Sequence, residues 1–360
     1  MIIKSRAPAR IDLAGGTLDL WPLHLFVRQP VTINMGINLW ATATLEFKDA
    51  PVPEVLLRSE DQKNELKFAW SDIEKVSAPP ELQLHLKLLK HFGGIRHGIS
   101  GLRRQLILTT SAESPAGAGL GGSSTLGVAI AGALSVWGED EFALEGFDST
   151  TNGDKLIETV RDVETTVIQV PAGVQDYYGA MYGGLQSLRW GVSAHRHERL
   201  PEGILTGLES RVLLFYSGQS RNSGINNWAL YKDFIDNREG VRAKFDQIAA
   251  AANQLETALR ESNWAAVGEA IAHEWEARSG LASQISTPEI NRAFAAAKKE
   301  GATAGKICGA GGGGCFFIYL PSDDPQRAAA IRTKIEAIEG IRSLPFKAVP
   351  QGLEVQVKRA

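Results

Sequence analysis

The sequence predicts an α+β protein built as two domains. Strand-like and helical runs alternate through residues 1–200, long helical stretches dominate after that point, and short strand-like runs return near the carboxyl end. A length of 360 residues also favours two domains over one. In order, 31–47, 105–110 and 184–190 are β-branched or alternating and read as strands, while 124–137 and 154–168 read as helices. Leu126, Ile130, Ala133 and Leu134 share one face of the first helix, and Ile157, Val160 and Ile168 form a stripe on the second. After "RLPEGILTG" the run "RVLLFYSG" reads as a strand. Val241, Phe245, Ile248, Leu255 and Leu259 then recur at helical spacing over 241–261, as do Trp264, Val267 and Ile271 over 263–283. The runs "GCFFIYLP" and "LEVQVK" read as strands of an antiparallel sheet backed by these helices. The expected boundary falls near residue 200, giving domains over 1–200 and 201–360.

Hydrophobic residues make up 44% of the chain and charged ones 22%, and no stretch approaches the ~20 apolar residues that span a bilayer. The start, "MIIKSRAPARIDLAGG", meets an arginine and an aspartate before any run resembling a signal peptide, so a soluble, cytoplasmic protein is expected. Cys308 and Cys315 are the only cysteines, without CxxC or zinc spacing, and read as small buried thiols. A net charge of -3 argues against a nucleic-acid binder and leaves small molecules as the expected partners.

The densest motif is "SPAGAGLGGSST", Ser114 to Thr125, set between a strand and a helix. A helix start carries unpaired N–H groups and a partial positive charge, and glycines let amides close around an anion, for which phosphate is the natural guest. A helix cap with a packing turn is the plain alternative. Gly117, Gly119 and Gly122 satisfy G-x-G-x-x-G, but so do Gly309, Gly311 and Gly314, and neither set opens a convincing dinucleotide-binding βαβ unit. No lysine follows the first loop, and "GATAGKIC" has the wrong spacing, which excludes a Walker A loop.

Glu164 falls on the apolar stripe of 154–168, where a carboxylate needs a partner: either a buried salt bridge or a metal ion. Beside a phosphate loop that offers the Ser123 and Ser124 hydroxyls, a Mg²⁺ shared with phosphate oxygens becomes competitive. Asp176, in "VPAGVQDYYGAMYGGL", reads either as the N-cap of a helix starting at Tyr177 or as a base or charge stabiliser beside a substrate hydroxyl. Arg10 and Asp12, with Asp19 just past a glycine turn, mark either a solvated strand edge or a ligand lip. His273 lacks the second histidine of H-E-x-x-H, and His195 and His197 read as solvated loop.

Three segments spanning most of the chain resemble the motifs of the GHMP kinases: "RAPARIDLAGGTLDL", "SPAGAGLGGSST" and "KICGAGGGGCFFIY". "SRAP", "VQDYYGAMYGGL", "FYSGQSRNS" and the stretch from "HEWEARSG" to "CGAGGGG" look most like the D-glycero-D-manno-heptose kinase branch. The chain departs from that branch in reading "GGTLD" in the first motif and "FVRQPVTINMGI" before the next strand, and in having Gly122 where a serine is usual.

The resemblance implies an amino-terminal domain similar to the second domain of ribosomal protein S5 and a ferredoxin-like carboxyl-terminal domain. It further implies ATP-dependent phosphorylation of a hydroxyl of a sugar or sugar phosphate with Mg²⁺, with a mevalonate-type kinase or a non-catalytic sensor as alternatives. Carried over by position, Asp176 matches the catalytic aspartate and Arg10 the arginine beside it, while Ser123 and Glu164 match the metal ligands. Pro115, Gly117, Ala118, Gly119, Leu120, Gly121, Gly122, Ser123 and Ser124 match the ATP-binding loop. Asp19 and Gly173 match residues near the acceptor sugar, and Gly311, Gly312 and Gly313 should support the phosphate loop and the acceptor side of the cleft.

Overall fold

The computed structural model describes residues 1–96, 104–137, 149–192, 195–220, 223–238, 240–282 and 284–358. Arg221, Asn222 and Ser283, within segments quoted above for the resemblance, lie outside them.

The first sheet takes the strands β1 (Ile2–Ala14), β2 (Val31–Asp49), β3 (Glu54–Ser59), β4 (Asn64–Ala69), β5 (Arg104–Ala112), β6 (Leu185–Arg189) and β7 (Arg196–Arg199). The 19-residue β2 is its spine: it runs antiparallel to β1, pairs β5 over Ala41–Asp49 and pairs β6 over Val31–Met35. On one face lie α1 (Gln83–Arg96), α2 (Gly122–Ser135), α3 (Ser149–Ile168) and α4 (Gln175–Tyr182). The small residues of α2, Ala129, Ala131, Gly132 and Ala133, let it sit close on β1 and β2.

The second sheet is formed by β8 (Val212–Tyr216), β9 (Ala304–Ile307), β10 (Cys315–Tyr319) and β11 (Arg342–Ser343) in the order β11-β8-β10-β9, all antiparallel. The remaining helices are α5 (Glu202–Glu209), α6 (Ser223–Ile235), α7 (Val241–Arg260), α8 (Trp264–Ser279), α9 (Pro288–Lys299) and α10 (Pro325–Glu336). Strand alternation decides what each face meets. Leu213, Phe215, Phe316 and Ile318 pack on α9 and α10, while Val212, Leu214, Phe317 and Tyr319 share a core with α7, α8 and residues Ile11, Leu13, Ile33 and Met35 of the first sheet.

Two expectations are corrected. The run "LEVQVK" is a strand, β12 (Glu354–Lys358), but it joins the first sheet, pairing β1 from Ile2↔Lys358 to Arg6↔Glu354. Its Val355 and Val357 pack on the first core and cover an otherwise open edge. The helix expected over 263–283 ends at Ser279, where Gly280 caps it. Among the described residues, no helix is long and apolar enough to cross a membrane.

Candidate active site

The phosphate-loop segment folds as expected from its glycines. Gly121 is the N-cap of α2 with φ +74°, a left-handed conformation that a side chain strains, and no side chain caps the helix. The first N–H groups of α2 are therefore left for a ligand, and Pro115, Gly117, Gly119, Gly122, Ser123 and Ser124 all line the adjoining cleft. The second glycine tract packs on this loop. The Cys315 N–H donates to Ala118 O at 2.6 Å, and a Cβ on Gly309 would come within 2.9 Å of Gly119 Cα. Bare backbone meets bare backbone, which explains two glycine tracts nearly 190 residues apart in one chain. Gly309 and Ala310 line the cleft, whereas Gly312 donates to Ile285 O at 2.7 Å and a Cβ on Gly311 would collide with Ile285. Of Gly311, Gly312 and Gly313, expected to support the phosphate loop and the acceptor side, the first two pack against Ile285, and none of the three lines the cleft wall.

Arg10 is no solvated edge residue: it is 4% exposed, between two register shifts of β1 that re-aim its side chain. Its Nε and Nη2 donate to Asp176 Oδ1 at 2.9 and 2.6 Å, and its Nη1 donates to Gly119 O at 2.6 Å and Cys308 O at 3.0 Å. One guanidinium thus joins both glycine tracts to Asp176. Burial works against its charge, but Asp176 and Asp12 outweigh it and hold the group above its ordinary value. Asp176 is not an N-cap; it sits in the first turn of α4, behind Val174, and a Cβ on Gly121 would approach its Cγ to 3.1 Å. The aspartate therefore stands at the mouth of α2.

Glu164 of α3 is 4% exposed and accepts a 2.7 Å hydrogen bond from Tyr177, without a salt bridge among the described residues. Burial pushes its carboxyl up, against hydrogen bonds from Ser123, Tyr177 and Ser124. A carboxylate ringed by hydroxyls at a helix N-terminus is an all-oxygen donor set, the chemistry a hard cation such as Mg²⁺ takes, so the residues fit that ion.

At the other end of the cleft, Asp19 is 2% exposed and its Oδ2 accepts from the Gln175 N–H at 3.0 Å. Burial and the nearby Asp176 push its carboxyl up to about 6. Gly173 is required beside it, since a Cβ there would lie 2.4 Å from Asp19 Oδ2. Asp12 pairs with Lys306 at 2.8 Å, and Arg278 pairs with Glu274 at 2.6 Å, all four side chains being buried. Arg278 also donates to Gly16 O at 2.7 Å and to Thr17 Oγ1 at 3.1 Å, which holds Thr17 at φ +71°.

Sequence reasoning missed Lys306, Glu274 and Arg278. The i,i+4 spacing of Glu274 and Arg278 is the one signal they carry, and it is the commonplace signal of a solvated helix face. His195 and His197 are half-buried, not solvated: His197 stacks on Tyr182 at 4.3 Å and His195 meets Trp190 edge-on at 4.9 Å. Together these residues line one cleft of about 460 Å³, with Arg10 and Asp176 in its wall.

Comparison with known proteins gives a consistent picture. The family model for the GHMP kinases N terminal domain matches residues 83–184, and that for GHMP kinases C terminal matches residues 255–338. A D-glycero-alpha-D-manno-heptose 7-phosphate kinase from Campylobacter jejuni is 23% identical over 90% of each chain. An L-fucokinase/L-fucose-1-P guanylyltransferase from Bacteroides fragilis is 27% identical over 92% of this chain, which spans 36% of that longer protein. The fold is shared with the crystal structure of a D-glycero-D-manno-heptose 1-phosphate kinase from Bacteroides thetaiotaomicron, with a TM-score of 0.72 at 20% identity over 99% of this chain and 100% of that one.

Proposed function

The chain belongs to the GHMP kinase superfamily, ATP-dependent phosphotransferases to an alcohol, and on that premise we propose that it phosphorylates a hydroxyl of a sugar or sugar phosphate of the heptose type. The observation that carries this reading is the Arg10–Asp176 pair, set between an uncapped helix start on one side and an acid-lined end of the same cleft on the other. Similarity to the Campylobacter jejuni heptose 7-phosphate kinase supports the sugar class.

Phosphates of ATP lie on the backbone amides of the 115–122 loop and the start of α2, which offer fixed dipoles for the charge of the transferring group. Ser123 and Glu164 would hold Mg²⁺, which supplies further neutralisation of phosphate charge when bound. The acceptor hydroxyl lies against Asp176, which takes its proton as the new O–P bond forms and the bond to the ADP oxygen breaks. Arg10 fixes the direction of that carboxylate by using both Nε and Nη2 on a single oxygen. Asp19 and Gly173 line the acceptor end, where alignment of the hydroxyl is the main service a protein gives this reaction.

ADP release from Mg·ATP tests the proposal against sedoheptulose 7-phosphate, D-glycero-D-manno-heptose 7-phosphate, mannose, fucose, galactose and mevalonate. Turnover of a sugar is expected. Turnover of mevalonate alone would replace the sugar reading with a mevalonate-type kinase, and ATP binding without any turnover would favour a sensor.

A further inference from the structure

We propose that the chain carries a second anion site, outside the catalytic cleft, that takes a phosphate group between Arg189 of β6 and Arg196 of β7. The site goes beyond the kinase reading and shares no lining residue with the cleft of Arg10 and Asp176.

The pairing of β6 with β7 sets two arginines directly opposite each other, Arg189↔Arg196, with Ser187↔Glu198 two residues along on the same face. Like charges opposite each other destabilise a sheet, so such a pair calls for an anion. Part of it is supplied by the buried Glu256 of α7, which pairs with Arg189, whose Nη1 also donates to Asn253 Oδ1 at 3.1 Å. Arg260, however, claims both neighbouring carboxylates. Its Nη1 and Nη2 donate to Glu198 at 2.9 and 2.8 Å, and its Nη2 also donates to Glu256 Oε1 at 2.7 Å. Hydrogen bonding to Arg260 holds the Glu198 carboxyl below its ordinary value, and the charges of Arg189 and Arg196 add to that, so all three cations face one place. Arg196 itself is exposed and makes no side-chain hydrogen bond or salt bridge among the described residues. Three guanidiniums thus meet two carboxylates around an open cavity of about 490 Å³. His197 on the same wall adds no charge at neutral pH, since burial lowers its imidazole.

A phosphate group has oxygens enough to accept from the forks of two arginines at once, and its charge offsets the repulsion between them. A carboxylate has only two oxygens, which a single fork already fills. The nearby hydroxyls are committed, Ser187 to Glu256 Oε1 at 3.0 Å and Thr257 to Asn253 O at 3.1 Å, so recognition falls to the guanidiniums. Charges on an outer strand ordinarily serve to blunt it against pairing with another chain, but that service does not require arginine opposite arginine. The cavity also lies at a joint. Arg189 and Arg196 belong to the first sheet, whereas Glu256 and Arg260 belong to α7, whose Leu255 and Leu259 share a core with the second sheet. A phosphate held there ties the two together.

The test titrates inorganic phosphate, glucose 6-phosphate and acetate by calorimetry onto the full chain at low ionic strength, with the catalytic cleft filled by Mg·ADP, and onto Arg196→Gln in the same state. The wild type is expected to bind phosphate or its ester, and the variant to bind it about tenfold or more weakly, the worth of a hydrogen bond to a charged group. Tighter binding of inorganic phosphate identifies the free ion as the ligand, and tighter binding of glucose 6-phosphate a phosphate monoester. Equal affinity in the two proteins, binding of neither phosphate, or acetate bound as tightly as phosphate overturns the proposal. Thermal unfolding without added anion separates a ligand site from a structural ion pair. Arg196→Gln relieves a contact between like charges and is expected to keep or raise the Tm, and a fall in Tm overturns the proposal.

Discussion

Arg10 and Asp176 show how a residue's neighbours decide its work. An arginine on a strand beside alternating apolar residues is ordinarily solvated, yet here four hydrogen bonds hold it among two glycine tracts and a carboxylate. Replacing Asp176→Asn keeps the shape of the side chain and removes its negative charge. Turnover is expected to fall by about 10²- to 10⁴-fold with ATP affinity retained, read by ADP release and nucleotide titration, and undiminished turnover would remove Asp176 from the reaction. Asp19 carries a pH signature. Its carboxyl rises from 3.8 to about 6, so the native state binds that proton more tightly than the unfolded chain. Stability from this group is full below about pH 4 and declines by up to about 3 kcal/mol as the pH passes 6. Asp19→Asn abolishes that decline, so in urea unfolding the variant should gain on the wild type between pH 4 and pH 7. A pH-independent difference would show that Asp19 ionises in the fold as freely as in water.

At the scale of elements, the start of α2 is the decisive piece. Its N-cap is a glycine in a left-handed conformation, where serine or aspartate would ordinarily supply a side-chain oxygen to the first N–H groups. The absence of a cap leaves those donors to the cleft. Gly121→Ala both strains the φ of +74° and pushes a methyl to 3.1 Å from Asp176 Cγ. It is expected to cost about 1–3 kcal/mol in thermal unfolding and to weaken ATP binding in the same protein. Unchanged ATP affinity would separate the loop from the nucleotide. The register shifts of β1 play the matching part on the opposite side, turning Arg10 and Asp12 into the interior at a strand that is otherwise a regular partner of β2.

For the whole molecule, the second core matters most, because Ile11, Ile33 and Met35 of the first sheet, Leu255 and Leu259 of α7 and Phe317 of β10 belong to one apolar cluster. The Lys306–Asp12 pair is embedded near this joint and ties β9 to β1. Lys306→Met leaves Asp12 buried without its cation and is expected to cost about 3–5 kcal/mol in urea unfolding. Adding Asp12→Asn should return part of that loss; strictly additive losses would show that the two side chains do not interact. The return of β12 to β1 is a second tie of the same kind, since the last strand of the chain completes the sheet that the first strand begins.

Local pattern alone determined α2, α3, α7 and most of α8, the strands β2, β5, β6, β8, β10 and β12, the glycine turn of "SPAGAGLGGSST" before a helix and the oddity of Glu164 on an apolar stripe, while α1, α5, α6, α9 and α10 were not read from it. Each of these is a statement about residues within a few positions of one another, where period and backbone freedom act directly. Tertiary structure decided that Arg10 is a buried clamp, that Lys306 pairs with Asp12 and Arg278 with Glu274 in the interior, and that "LEVQVK" joins the first sheet. Asp12 and Lys306 stand nearly 300 residues apart. A charge is costly to bury until its counter-ion arrives, and only the folded chain brings the two together.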